Sequence, residues 1–307
     1  MRIPEAAAPV RVLKLSGKEQ SHRMLNTIPT PTNRADVSLT IRGGTSQALI
    51  ADIIRAVQLW PVWLRLGIQD VRLRFRRSTF GVGWIFLNLA VMILAVGLVY
   101  SRLLGQELHK FLPFLTAGVV TWAYLTSSIV EGGNAFIASE GYIKQIGLPL
   151  FVYVLRSFIS VSLVMLLSMM AYFVVALLYG VGFSLGAFWA VPGLLLVGAV
   201  ALLLVATFAY LNARFRDAIY LASAVLQVLF YVTPVIWPPE ALRDKGLPWV
   251  VDYNPFYHLL EVVRRPLLYS EPASVMNYLM VGVLIIGLAV VAWGCARRYH
   301  QRVVYLL

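Results

Sequence analysis

Arg72, Arg74, Arg76 and Arg77 form the densest basic cluster in the chain. A guanidinium presents a fixed fork of N–H donors that matches two phosphate oxygens, so such a cluster suits charge-assisted binding of phosphate. The same residues also serve to anchor a helix in an anionic headgroup layer. Two further sets mix aromatic and polar groups at helical spacing: Tyr124, Ser127, Ser128 and Glu131, and Gln227, Tyr231 and Pro234. Trp84 and Asn88 lie four residues apart in the same manner. Covalent chemistry has little to work with. The histidines, His22, His109, His258 and His300, are scattered. His109 beside Glu107 and His258 beside Glu261 are isolated pairs rather than a catalytic constellation. Cys295 is the one cysteine, so there is no internal disulfide and no Cys/His metal spacing. No GxxxxGK[ST] loop occurs, so the chain has no Walker-type ATP site. The reading is a protein that is not an enzyme, with no catalytic residues, metal site or cofactor of its own.

The elements that carry these residues are set by composition. Of 307 residues, 60% are hydrophobic and 13% charged, against about 45–50% and 25% in soluble domains. The mean hydropathy of +0.77 agrees. A water-soluble enzyme and a nucleic-acid-binding chain are both excluded, although Lys and Arg number 26 against 14 Asp and Glu. Excess basic charge on so apolar a chain points to a membrane surface.

A crossing helix needs about 20 apolar residues. The uncharged stretch Ser157–Ala213 would extend about 85 Å as one helix, and turn chemistry at Gly180–Gly186 and Pro192-Gly193 divides it. Six spans are therefore predicted, near 79–102, 111–131, 156–179, 190–212, 218–237 and 273–296. Basic residues are concentrated on the side shared with the termini, at Arg65, Arg72–Arg77, Lys144, Arg156, Arg214, Arg216 and Arg297–Arg302. That places both termini in the cytoplasm. No ionisable residue falls inside the spans, whereas ion-coupled carriers usually keep one there; Glu131 and Arg156 fall at cytoplasmic ends.

Residues 1–50 read as a flexible cytoplasmic tail without an apolar signal segment. Residues 51–78 read as an amphipathic interfacial helix, with Trp60, Leu64, Ile68, Val71 and Phe75 on one stripe and Arg65, Gln69, Arg72 and Arg76 on another. Residues 79–307 form the six-span domain. Glu131–Pro149 contains a short cytoplasmic helix. Before the last span, Trp237-Pro-Pro-Glu-Ala opens one short outer helix and Asn254-Pro255 caps a second. The latter's apolar run, Phe256–Tyr269, is broken by Pro266 and suits a re-entrant piece. The expected fold class is all-α integral membrane, with six transmembrane helices, an interfacial helix and short outer re-entrant helices.

This order of elements resembles the ABC-2 family of export permeases, in particular those for O-antigen, capsule and teichoic-acid polysaccharides. The resemblance runs from Leu59 to the C-terminus. It is carried by Asp70–Trp84, by Tyr142–Pro149, by Asn212-Ala-Arg-Phe-Arg-Asp217 with Gln227–Trp237, and by Asn254-Pro255 with Arg264. Tyr142–Arg156 looks most like the O-antigen exporters. The resemblance implies a homodimeric channel in the bacterial inner membrane, bound to two copies of a cytoplasmic ATPase that holds the ATP and Mg. It implies outward movement of a polysaccharide linked to a polyprenyl diphosphate lipid, with membrane lipids around it and no nucleic acid. Under it, Glu140, Tyr142, Lys144 and Gln145 are expected to couple to the ATPase, with Arg74, Arg76 and Arg77 adding contacts. Arg72, Arg74, Arg76 and Arg77 are expected at the lipid diphosphate. Trp84, Asn88, Tyr124, Ser127, Ser128, Gln227 and Tyr231 are expected to line the sugar path. A drug or small-lipid exporter of the same superfamily is the alternative reading, and a membrane-embedded transferase a distant third.

Overall fold

The computed structural model describes residues 45–182 and 184–307, all of them helix, turn or loop, with no strand among the described residues. Most of the expected N-terminal tail lies outside these residues. The described chain begins in helix α1 (Thr45–Gln58), so residues 45–50 are helical rather than tail. The single interfacial helix expected over 51–78 is two helices, α1 and α2 (Trp60–Arg74). Pro61 explains the break: it has no N–H to continue a hydrogen-bond ladder and it fits the first turn of a new helix. Arg65, Gln69 and Arg72 keep their expected polar face, but Trp60 is exposed, and α2 buries Gly67 and Val71 instead.

Among the described residues, five helices are long and apolar enough to cross a bilayer. They are α3 (Gly83–Leu103), α4 (Leu108–Gly133), α6 (Phe151–Leu178), α7 (Ala190–Arg214, extended at its start by a 3-10 turn at Leu185–Trp189) and α12 (Val275–Tyr299). The short α5 (Glu140–Gln145) lies between α4 and α6. The sixth expected span, 218–237, is helical only over α8 (Ala218–Val232), 15 residues or about 22 Å. Pro234 forces the shortfall. The residue before a proline is pushed from the helical to the extended region, and Thr233 sits at φ −83°, ψ 140°.

Between α8 and α12 lie α9 (Glu240–Arg243), α10 (Pro248–Asp252) and α11 (Pro255–Tyr269); a last short helix, α13 (Val303–Leu306), follows α12. Asn254 caps α11 as expected, its Oδ1 accepting the N–H groups of Phe256 at 3.0 Å and Tyr257 at 3.4 Å. The expected break at Pro266 does not occur, and α11 runs on to Tyr269. Proline at 266 leaves the Val262 carbonyl without its helical donor, and Gly193 of α7 packs directly on that oxygen, where a Cβ would collide with it.

α4 is the centre of the bundle. About 72% of its apolar window is buried inside the chain, against 11% for α3 and 17% for α12, which present mainly outward-facing apolar surface. Close approach to α7 passes through Gly132, where an added Cβ would meet the Val205 Cα at 3.0 Å. Trp122 of α4 packs against Phe230 of α8 and Phe256 of α11, with ring centroids 5.8 and 5.6 Å away.

Candidate functional site

The residues singled out by sequence gather mainly at the end of the bundle formed by α1, α2, α5 and the C-terminus, here called the base. Arg156, in the first turns of α6, is its hub. Its guanidinium donates to both carboxylate oxygens of Asp70 on α2, at 2.7 and 2.6 Å. It also reaches Ser139 Oγ at 3.4 Å, just before α5, and stands 5.7 Å from the Tyr142 ring centroid. One side chain thereby joins α2, α5 and α6. A second ion pair, Arg74 with Glu131, ties the end of α2 to α4. Between these pairs lies a cavity of about 180 Å³, lined by Asp70, Arg74, Glu131, Arg156 and small residues such as Ala135, Ser157 and Ser160.

Asp52 adds a third tie. Its carboxylate accepts the N–H groups of Leu150 (3.0 Å) and Phe151 (2.9 Å) and so caps α6 from a distant helix. Burial pushes this carboxyl above the usual range, and the two N–H bonds act the other way. His300 approaches Asp52 at 3.9 Å and bonds the Tyr210 hydroxyl at 3.0 Å. α1, α6, α7 and the end of α12 are thus linked by polar contacts at the base.

The predicted coupling residues share one short helix. Glu140, Tyr142, Lys144 and Gln145 all lie on α5, with Tyr142, Lys144 and Gln145 exposed. Lys144 bonds Glu140 and holds its carboxyl below the usual range. The arginine cluster is less uniform than its spacing implies. α2 ends at Arg74, so Arg76 and Arg77 lie in the following turn and share no helical face with Arg72. Arg74 is neutralised by Glu131. Arg72, Arg76 and Arg77 are exposed, without an ion-pair partner among the described residues.

The expected path-lining residues do not form one wall within the chain. Tyr124 is buried, its hydroxyl bonded to Ser162 of α6 at 2.7 Å, and Ser128 is buried and donates to the Tyr124 carbonyl. A phenol enclosed by apolar helices has to find a hydrogen-bond partner, and α6 provides it. Ser127 is half-buried. Gln227 and Tyr231 are exposed on α8, and Trp84 and Asn88 are exposed on α3. Pro234 lies beyond the end of α8, so that stripe stops at Tyr231. At the end of the bundle remote from the base, His258 bonds Asn277 and the Asp252 carbonyl, while Glu261 faces Arg264.

Sequence reasoning missed Asp52 and Ser139, and did not assign the roles of Asp70 and Arg264. Arg264 is 2% exposed and donates to the Pro234 carbonyl at 2.9 Å and the Val235 carbonyl at 3.3 Å. Its guanidinium lies 3.9 Å over the Phe114 ring and against Gly118, which has no Cβ to obstruct it. An arginine inside an apolar run was the available signal, since burying it requires partners.

Five long apolar helices among the described residues, with α4 buried at their centre, braced at one end by ion pairs and capped at the other by short helices, define a multi-pass membrane protein. A family model described as ABC-2 type transporter matches residues 62–268, and the chain belongs to that family. It is 24% identical over 228 residues to a Klebsiella pneumoniae protein named O-antigen export system permease protein RfbA, covering 72% of this chain and 87% of that relative. A Myxococcus xanthus protein of the same name is 24% identical over 185 residues, covering 58% of this chain and 68% of the relative.

Proposed function

We propose that this chain is the transmembrane subunit of an ATP-driven exporter that moves a lipid-linked polysaccharide of O-antigen type outward across the inner membrane. Similarity to O-antigen export permeases over most of the chain is the observation that carries the reading. α8, with the turn that follows it through Pro234, completes a sixth crossing, α11 re-enters from the outer face, and both described ends of the chain face the cytoplasm. Two copies form the channel and bind two ATPase subunits, which supply ATP and Mg. α5 is the contact: it is short, exposed and joined to α2 and α6 through Arg156, so force applied to it reaches two elements at once. Arg72, Arg76 and Arg77 meet a lipid diphosphate at the cytoplasmic interface, a reading supported by their exposure and their lack of an ion-pair partner among the described residues. Gln227, Tyr231, Trp84 and Asn88 project from the chain where a second copy would enclose them.

The test is deletion of the gene, with analysis of surface polysaccharide and of accumulated lipid-linked intermediate. Loss of surface polymer with accumulation of the intermediate is expected, and restoration by the wild-type gene. An unchanged surface polymer overturns the reading. Cysteines placed at 140–145 should crosslink to the co-expressed ATPase; no crosslink from any position removes α5 from the role.

A further inference from the structure

A cavity of about 440 Å³ lies at the end remote from the base, among the start of α4, α9 and α11. That volume is in the range of small-molecule sites. Its lining combines aromatic rings (Phe114, Tyr257, Tyr269) with charged groups, and the charges are matched almost one to one. Lys110 pairs with Glu107 at 2.5 Å, Arg243 with Asp252 at 2.7 Å, Arg264 with Glu261 at 3.5 Å, and Arg265 with Glu271 at 3.3 Å. Glu240, exposed at the rim, is left over as an unpaired carboxylate. Each of the four lining cations has an acidic partner, three of them (Glu107, Asp252 and Glu271) standing just outside the lining, so no cation is left open for a phosphate. The lining does offer carboxylate acceptors, guanidinium donors and ring faces within one cavity, the combination that holds uncharged hydroxyl groups and the C–H faces between them.

A second cavity of about 250 Å³ continues from the first and shares Lys110 and Tyr269 with it. Tyr269 is 67% exposed and stands between the two. A ring placed there contacts successive units of a linear ligand. Behind it the wall is rigid: Arg264 is buried and clamps the Pro234 and Val235 carbonyls, and one of its donors, Nε, is buried without a hydrogen-bond partner.

The geometry points to a saccharide-binding groove in these joined cavities, at the exit end, which holds an uncharged stretch of polymer against Tyr269 and Glu240. This rests on the proposed polysaccharide export and adds to it a site within one chain, separate from any path between two copies.

Binding is measured by saturation-transfer NMR and equilibrium dialysis on the purified permease–ATPase complex. The probe is the lipid-free polysaccharide released by mild acid from the surface of the strain that carries the gene, trimmed to oligosaccharides. Inorganic pyrophosphate is the anionic competitor. Tyr269→Ala and Glu240→Gln should each weaken oligosaccharide binding about fivefold to tenfold, while Tyr269→Phe, which keeps the ring, binds like the wild type. Both positions are exposed, so membrane level and assembly should be unchanged. Equal binding by the wild type and Tyr269→Ala, or no binding by the wild type, overturns the groove and leaves the deletion phenotype, and with it the export reading, unaffected. Displacement by pyrophosphate at concentrations matching the oligosaccharide also overturns it, in favour of an anion site.

Discussion

Replacing Arg156 should detach α2 from the bundle. The Arg156–Asp70 pair is bidentate, with side chains 15% and 27% exposed. Two unit charges about 4 Å apart attract by about 4 kcal/mol at an effective dielectric of ~20. Desolvation of both groups offsets part of this, which leaves a coupling of about 1.5–3 kcal/mol, above that of an exposed pair and below that of a fully buried one. Arg156→Gln also strands the Asp70 carboxylate and withdraws the Ser139 and Tyr142 contacts. The single variant should therefore cost about 2–4 kcal/mol, and Asp70→Asn somewhat less. The assay is a double-mutant cycle on Asp70→Asn, Arg156→Gln and their combination, followed by reversible unfolding in mixed micelles. A spin-label pair on α2 and α6 reports the separation directly. If the proposed function holds, the Arg156→Gln complex with its ATPase should hydrolyse ATP and move less polymer per ATP, since α5 has lost its link to α2. A coupling below about 0.5 kcal/mol, with an unchanged spin-label distance, would refute the reasoning.

Gly193→Ala should place its Cβ against the Val262 carbonyl and lower thermal stability and membrane level, by about 2 kcal/mol or more; Gly198→Ala, on the same helix with nothing within 4 Å, should be silent. Asp52→Ala removes the cap on α6 and should cost about 1–2 kcal/mol, read from thermal melting. Because burial raises the Asp52 carboxyl, its contribution is fully present below the unfolded value and falls as pH rises through the folded one. Relative to Asp52→Asn, the wild type should therefore be most stable at acid pH, below the ordinary carboxylate range, and lose that advantage as pH rises through the raised value. Tyr124→Phe, which loses only the Ser162 bond, should cost about 1 kcal/mol in melting and leave export intact, whereas Tyr231→Ala should reduce surface polymer in assembled, normally expressed complexes.

What the sequence determined by itself is what depends on local pattern or on the solvent. A bilayer requires long apolar helices whatever their neighbours, so α3, α4, α6, α7 and α12 were legible from hydropathy. The Asn254-Pro255 cap was legible because a cap bonds only to N–H groups two and three residues on. α5 was legible from local pattern too, as a polar stretch bracketed by glycines. Proline misled in both directions. Pro234 ended α8 early because the residue before it, Thr233, is pushed to the extended region, while at Pro266 α11 runs on, with Gly193 of another helix packed against the freed Val262 carbonyl. Only the tertiary structure decided which charges meet. Arg156 finds Asp70 across 86 residues, Arg74 finds Glu131 across 57, and Asp52 finds the Leu150 N–H across 98. Four arginines with one spacing rule became one neutralised residue and three open ones, because only Arg74 lies opposite Glu131. Tyr124 and Tyr231, alike as aromatic members of helical stripes, parted in the same way. Periodicity assigns a face to each residue on its own helix, but which face is buried follows from the packing of α4 against α6, and that is a property of the assembled bundle.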